Sequence, residues 1–152
     1  MIEYRTGNIL SSEMQTLVNP VNTVGIMGAG LALKFKFLYP EMFQRYRHLC
    51  KIGLLRIGKP MMYKPVAGPT FPDPWVMFFP TKEHYRDPSK LKYIANGLAS
   101  VRLLHGIWQL ESLAIPALGC GLGGLEWERV RHLIEAFLGD LDLPIEVYVP
   151  HD

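Results

Sequence analysis

At 152 residues, about half of them apolar, the chain has the length and hydrophobic content of one folded domain spanning residues 1–152. Its 16 basic and 14 acidic side chains leave a net charge of +2, which excludes a generally basic nucleic-acid coat; any recognition of DNA or RNA must come from a local patch. Cys50 and Cys120 lie far apart with no Cys-x-x-Cys partner, which argues against a zinc ribbon or a redox pair and predicts two reduced, buried thiols. The opening residues carry charges where a signal peptide needs an apolar run, and no later stretch reaches transmembrane length, so a cytoplasmic protein with no membrane association is expected.

In chain order, MIEYRTG alternates as a strand does, and TLVNPVN is a second apolar strand that ends in amides. From Gly28 the spacing turns helical: Leu31, Phe35 and Leu38 recur until Tyr39-Pro40 stops the helix, and PEMFQRYRHLC starts another with Pro40 in its first turn. PMMYKPV and WVMFFP read as short strands, with a hairpin loop in the Gly/Pro/Asp-rich piece between them. Leu91, Ile94, Leu98, Val101, Leu104 and Trp108 form one helical stripe, with Ser89 as its expected cap. SLAIPAL predicts a strand, a helix starts near Leu125 with Val130, Ile134 and Phe137 on one face, and IEVYVP closes the chain as a strand. Strands separated by helices predict an α/β domain with a mixed or largely parallel sheet covered on both faces, and there are no repeats, heptads or low-complexity tail.

Two glycine loops stand out. The first, GIMGAG from Gly25 to Gly30, lacks the dinucleotide-binding pattern after a first strand, and it lacks the Gly-Lys-Ser/Thr ending of an ATPase phosphate loop. Gly28 and Gly30 still permit close backbone approach to an anion at a helix start, although an ordinary structural turn is the better account of this loop taken alone. The second loop, GCGLGG from Gly119 to Gly124, also follows an apolar strand and precedes a helix. Loops at the carboxyl ends of strands share one crevice, so the pair together predicts a diphosphate held between two sets of backbone amides. Asn19 and Asn22 precede the first loop, where a carboxamide can donate to and accept from ribose hydroxyls or cap the turn; Asn22, nearer the glycines, is the better candidate for ligand contact.

Lys82, just beyond the WVMFFP strand, is expected at the rim of the same crevice. There it would direct an ammonium at a ribose oxygen or a leaving base, or act as base or nucleophile, unless it merely occupies a solvated face. His84, Tyr85, Arg86, Lys90, Lys92 and Tyr93 mix cations with aromatic faces, as a single-stranded nucleic-acid surface requires and as a mixed solvent-facing turn also would. The five histidines, His48, His84, His105, His132 and His151, have no ligand spacing with cysteines or carboxylates, and neither a metal nor a cofactor is implied.

With YRTGNIL, LVNPVN, MGAGLALKFK, PTK and IPALGCGLGGLEWE spread over nearly its whole length, the sequence resembles the macro domain family, and within it the branch of the DarG antitoxins and the terminal ADP-ribose protein glycohydrolase. The resemblance implies a three-layer α/β/α macro domain with a mixed central sheet. It also implies hydrolysis of the bond joining ADP-ribose to a target, which is DNA bases for DarG and acidic protein side chains for the other enzyme. Carried over by motif, Gly7, Asn8 and Ile9 would line the adenine end and Asn22 the distal ribose at the catalytic end; Asn19 is a binding candidate from its place in the strand, with capping of the turn equally open. Met27, Gly28, Ala29 and Gly30 would hold the diphosphate with Gly119, Cys120, Gly121, Leu122, Gly123 and Gly124; Tyr148 would pack near adenine, or in the core; and Lys82 would be the catalytic lysine.

Two departures from the family pattern matter. Asn8 stands where many macro domains have an adenine-binding aspartate, and Gly123 stands where the protein-directed enzyme has a loop aspartate. The second favours ADP-ribosylated single-stranded DNA as the target over modified acidic residues of proteins. A non-catalytic ADP-ribose reader is the further alternative, and a monomer with a cognate ADP-ribosyltransferase toxin as partner is expected from the resemblance.

Overall fold

The computed structural model describes residues 1–65 and 73–150. Ten principal elements follow in order: β1 (Ile2–Arg5), β2 (Thr16–Val21), α1 (Gly30–Leu38), α2 (Pro40–Lys51), β3 (Met61–Tyr63), β4 (Trp75–Pro80), α3 (Leu91–Leu104), β5 (Leu113–Ile115), α4 (Trp127–Leu138) and β6 (Ile145–Tyr148). A single 3-10 turn, Ile9–Ser11, follows β1. The six strands form one sheet in the order β1-β6-β5-β2-β4-β3. Every pairing is parallel except that of β3 with β4. Most of the Gly/Pro/Asp-rich loop expected between β3 and β4 lies outside the described residues, but the antiparallel pairing is the one a hairpin makes.

The alternation of side chains across a strand builds the three layers. Leu17 and Val21 of β2, Val76 and Phe78 of β4 and Ala114 of β5 face α1 and α2, where they meet Phe35, Met42, Phe43 and Tyr46. Val18, Met77, Phe79, Leu113 and Ile115 face the opposite way, onto Ile94, Leu98, Val101, Val130, Ile134 and Leu138 of α3 and α4. The sheet is therefore buried on both sides, which is why its central strands read as continuous apolar runs.

Several local expectations shift. Ser89 does not cap α3: the N-cap is Lys90, in extended conformation and without a side-chain cap, while the Ser89 hydroxyl is buried with no partner among the described residues. The Ser89 backbone N–H instead donates to Gly123 O at 3.0 Å, because the segment is stitched to the second glycine loop. Trp108 falls beyond α3, which ends at Leu104, yet it packs against the same apolar layer. β5 stops at Ile115, since Pro116 has no N–H to continue the ladder. α4 begins at Trp127, and both cysteines are half-buried rather than buried. Among the described residues no helix is long and apolar enough to cross a membrane.

α3 packs against the sheet through Gly97. A Cβ there would lie 2.3 Å from Phe79 Cζ and 2.8 Å from both Cε atoms, and the Phe79 ring is fully enclosed. Gly97→Ala is expected to destabilise the protein by about 1–3 kcal/mol, read from the midpoint of urea unfolding. The ~1 kcal/mol of helix propensity gained by alanine does not offset the overlap.

Candidate functional site

Because β1, β6, β5, β2 and β4 run parallel, their carboxyl ends open on one edge of the sheet, and the segments leaving them enclose a crevice of about 810 Å³. Gly7, Asn8 and Ile9 leave β1, Asn22 leaves β2, Thr81 and Lys82 leave β4, Pro116 and Ala117 leave β5, and Tyr148 is the last residue of β6; all line the crevice. The first glycine loop contributes Gly28, Ala29 and Gly30 and the second contributes Gly119, Cys120, Gly121, Leu122 and Gly123. The loops confront each other: a Cβ built on Gly30 would lie 3.9 Å from Leu122 Cδ1. Gly30 takes φ +58° as it opens α1, a conformation that a side chain disfavours.

β2 and β4 bring Asn22 and Lys82 together. Their register runs from Thr16 opposite Trp75 to Val21 opposite Pro80, and the pairing continues past the strands as Thr81 N–H donates to Val21 O and Thr23 N–H donates to Glu83 O, both at 2.9 Å. Lys82 is half-buried, and its Nζ donates to Tyr85 O at 3.4 Å. Lys34, on the first helix, joins it as the second charged lining residue, and no carboxylate lines the crevice among the described residues.

Asn22 is held from three sides. Its Oδ1 accepts from Val24 N–H at 3.0 Å and from the Tyr46 hydroxyl at 2.7 Å, while its Nδ2 donates to Ile26 O at 2.7 Å. These partners fix which amide atom is oxygen, since a flipped amide would set nitrogen against two donors. The oxygen has two donors, and among the described residues one N–H of Asn22 has no partner. That N–H is the group Asn22 would offer a ligand.

At the other end, Asn8 Oδ1 accepts from Leu10 N–H at 3.0 Å and caps the 3-10 turn. Tyr148 both lines the crevice and packs into the α1/α2 layer, and its hydroxyl donates to Glu146 Oε1 at 3.1 Å. Glu146 is buried, and its charge is answered by Arg5 Nε at 3.0 Å and by the Ser12 hydroxyl at 2.6 Å. Burial raises the Tyr148 phenol pKa and pushes the Cys120 thiol up to about 11, so Cys120 stands in the crevice wall as a neutral thiol.

Three residues expected at the site do not line the crevice. Asn19 shares the face of Leu17 and Val21, points under the sheet and is fully buried, with Nδ2 at 3.8 Å from the sulfurs of Met27 and Met42. Met27 sends its side chain into the same layer. Gly124, the last residue of the second loop, is exposed and outside the lining, and its N–H donates to Gly121 O at 3.2 Å. Conversely, Ile26, Lys34, Thr81 and Pro150 line the crevice without having been singled out. Thr81, next to Lys82 in PTK, had a signal in the sequence; Lys34 had only its place one turn into the helix.

The geometry also accounts for glycine at position 123. A Cβ there would sit 2.3 Å from Ser89 Oγ and 2.5 Å from Gly119 O, so an acidic side chain cannot enter without moving backbone.

A family model, the macro domain, matches residues 18–134, and the chain belongs to that family. It is similar to the DNA ADP-ribosyl glycohydrolase of Mycobacterium tuberculosis (strain H37Rv), with 43% identity over 152 residues that cover 99% of this chain and 42% of the relative. It is also similar to a DNA ADP-ribosyl transferase-DNA ADP-ribosyl glycohydrolase fusion protein of Thermosipho africanus, with 39% identity covering 95% of this chain and 40% of the relative. The chain thus spans about two fifths of the length of these curated relatives. Among solved structures, the macrodomain of M. tuberculosis DarG matches with a TM-score of 0.90 at 42% identity over 99% of both chains. T. africanus DarTG in complex with ADP-ribose matches with a TM-score of 0.93 at 38% identity, over 98% of this chain and 41% of that one.

Two substitutions separate a crowded glycine from an open one in the second loop. Gly123→Ala is expected to lower unfolding stability by about 1–3 kcal/mol, whereas Gly121→Ala, whose Cβ would meet nothing within 4 Å, should stay within about 0.5 kcal/mol in the same denaturant titration.

Proposed function

We propose that the crevice binds ADP-ribose and that the domain is an ADP-ribosyl glycohydrolase that releases ADP-ribose from modified bases of single-stranded DNA. One observation carries the reading: two facing glycine loops and two lysines, with no carboxylate among the described residues, line the crevice, which suits a diphosphate held by backbone amides. The relatives named DNA ADP-ribosyl glycohydrolase and the T. africanus complex with ADP-ribose support it. Gly7, Asn8, Ile9 and Tyr148 take the adenine end, the glycine loops take the diphosphate, and Asn22 donates its free N–H to the distal ribose.

Hydrolysis breaks the glycosidic bond between the distal ribose and the base. Water supplies the oxygen that replaces the base at the anomeric carbon, and a proton goes to the leaving base. Lys82 acts at that ribose. DNA is favoured over a modified carboxylate because Gly123 has no space for a loop acid and because the segment after Lys82 carries cations and rings. His84 stacks on Tyr85 at 4.2 Å, Arg86 lies 5.6 Å from the Tyr85 ring, and Lys90 lies 5.4 Å from the Tyr93 ring. Such a surface holds a flanking phosphate and stacks on an exposed base. A cognate ADP-ribosyltransferase toxin that writes the mark is part of the same proposal, in line with the relative that fuses transferase and glycohydrolase.

Calorimetric titration is expected to show clear preference for ADP-ribose over ribose and AMP; equal binding of all three would remove the ADP-ribose assignment. Lys82→Ala should keep its affinity for ADP-ribose while turnover falls by roughly a hundredfold or more, and unchanged turnover would take Lys82 out of the chemistry. The target is tested by following release from matched oligonucleotides modified on thymine or guanine beside a peptide modified on glutamate. Release from DNA is expected, preferential release from the peptide would overturn the DNA assignment, and binding without release would make the protein a reader.

A further inference from the structure

Tyr46 has no place in the reaction outlined above, yet it is fully buried and ends on Asn22. It sits in the middle of α2 on the face of Met42, Phe43 and Leu49, with its ring 5.6 Å from that of Phe78 in β4 and 6.2 Å from that of Phe43. Aromatic packing on two sides leaves the ring one orientation, and its hydroxyl emerges under the first glycine loop. There its single hydrogen is shared between Asn22 Oδ1 at 2.7 Å and Asn22 O at 2.9 Å. The same helix braces the loop beyond Asn22: a Cβ at Gly25, which takes φ +85°, would meet Arg47 Cγ at 3.4 Å and Cys50 Cβ at 3.7 Å. The loop therefore rests on one turn of α2, where the Tyr46 hydroxyl and the Cys50 thiol are polar contacts.

We propose that Tyr46 is a positioning residue that sets the direction of the Asn22 amide, and so makes Asn22 a hydrogen-bond donor alone toward the distal ribose. The inference rests on the ADP-ribose reading of the crevice. With Val24 N–H and the Tyr46 hydroxyl on Oδ1 and Ile26 O on one Nδ2 hydrogen, the remaining N–H has a fixed direction. Without the hydroxyl, Oδ1 keeps one donor and the amide turns more freely about its last torsion, so the free N–H spends less time aimed at the ligand. Burial raises the phenol pKa far above its ordinary value, so Tyr46 remains a donor throughout the working pH range.

The test is a double-mutant cycle read by ADP-ribose affinity and turnover in the unaltered protein, Tyr46→Phe, Asn22→Ala and the pair. Tyr46→Phe keeps the ring and removes only the hydroxyl; it should weaken ADP-ribose binding about three- to tenfold, the size of one hydrogen bond. In the Asn22→Ala background the same change should have an effect smaller than about twofold, because the group it positions is gone. An equal penalty in both backgrounds, or none in either, overturns the positioning role. Loss of thermal stability alone would appear in both backgrounds and would not produce this pattern. Should Tyr46→Phe fail to fold, the Asn22 side-chain amide of the unaltered protein is read by ¹⁵N NMR. A side-chain ¹⁵N order parameter as high as that of rigid backbone, about 0.85, is expected, and a value below about 0.6 overturns the inference. Failure of the unaltered protein to bind ADP-ribose overturns the crevice reading, and this inference with it, whereas binding with a flat cycle overturns the inference alone.

Discussion

The parallel pairing of β2 with β4 is the constraint on which the rest depends. Six residues of each strand are in register, and the backbone bonds continue past both strand ends, so Asn22 and Lys82, sixty positions apart, leave the sheet side by side. A slip of one residue would reverse every side chain on the strand, sending Leu17 and Val21 toward α3 and α4 and Val18 toward α1 and α2. The two apolar layers hold the register because each admits only its own set of side chains. The stability of the core and the placement of the site are thus consequences of one alignment.

The crevice is built largely from neutral groups with settled hydrogen bonds. Asn22 is tied to Val24, Ile26 and Tyr46; Asn8 caps a turn; Tyr148 is tied to a buried Glu146 whose charge is balanced by Arg5 and Ser12. Groups held in this way lose little freedom when a ligand arrives, which limits the entropic cost of binding. Lys34 and Lys82 supply the positive field, and among the described residues no carboxylate lines the wall, Glu146 staying behind Tyr148 and outside the lining.

The segment from Lys82 to Lys90 links the two halves of the site. At one end Glu83 O accepts from the Thr23 N–H and from its hydroxyl, and at the other the Ser89 N–H reaches Gly123 O. The first loop, the lysine and the second loop are therefore connected by backbone bonds as well as by the sheet. Ser89 at this junction fills the space in which residue 123 would need a side chain, so the glycine there is a packing requirement of this chain.

Much of this was legible in the linear sequence. Apolar runs and helical stripes located the strands and helices, the Tyr39-Pro40 break marked the joint between α1 and α2, and two glycine loops after apolar strands pointed to a shared crevice; these signals are local, and backbone geometry imposes them on any chain. Tertiary packing decided what local pattern left open. Asn19 and Asn22 look alike in LVNPVN, but strand parity buries the first among Met27 and Met42 while the second passes the strand end and reaches the crevice. Ser89 reads as a cap and is instead wedged against the second glycine loop. Nothing in the linear pattern sets Tyr46 of α2 or Lys34 of α1 apart. Their roles depend on contacts across 24 residues of chain for Tyr46 and on which face of α1 meets the crevice for Lys34. Composition and periodicity determine which elements form; which side chains share a hydrogen bond is determined only when the sheet register and the two packed layers bring distant segments within 3 Å of one another.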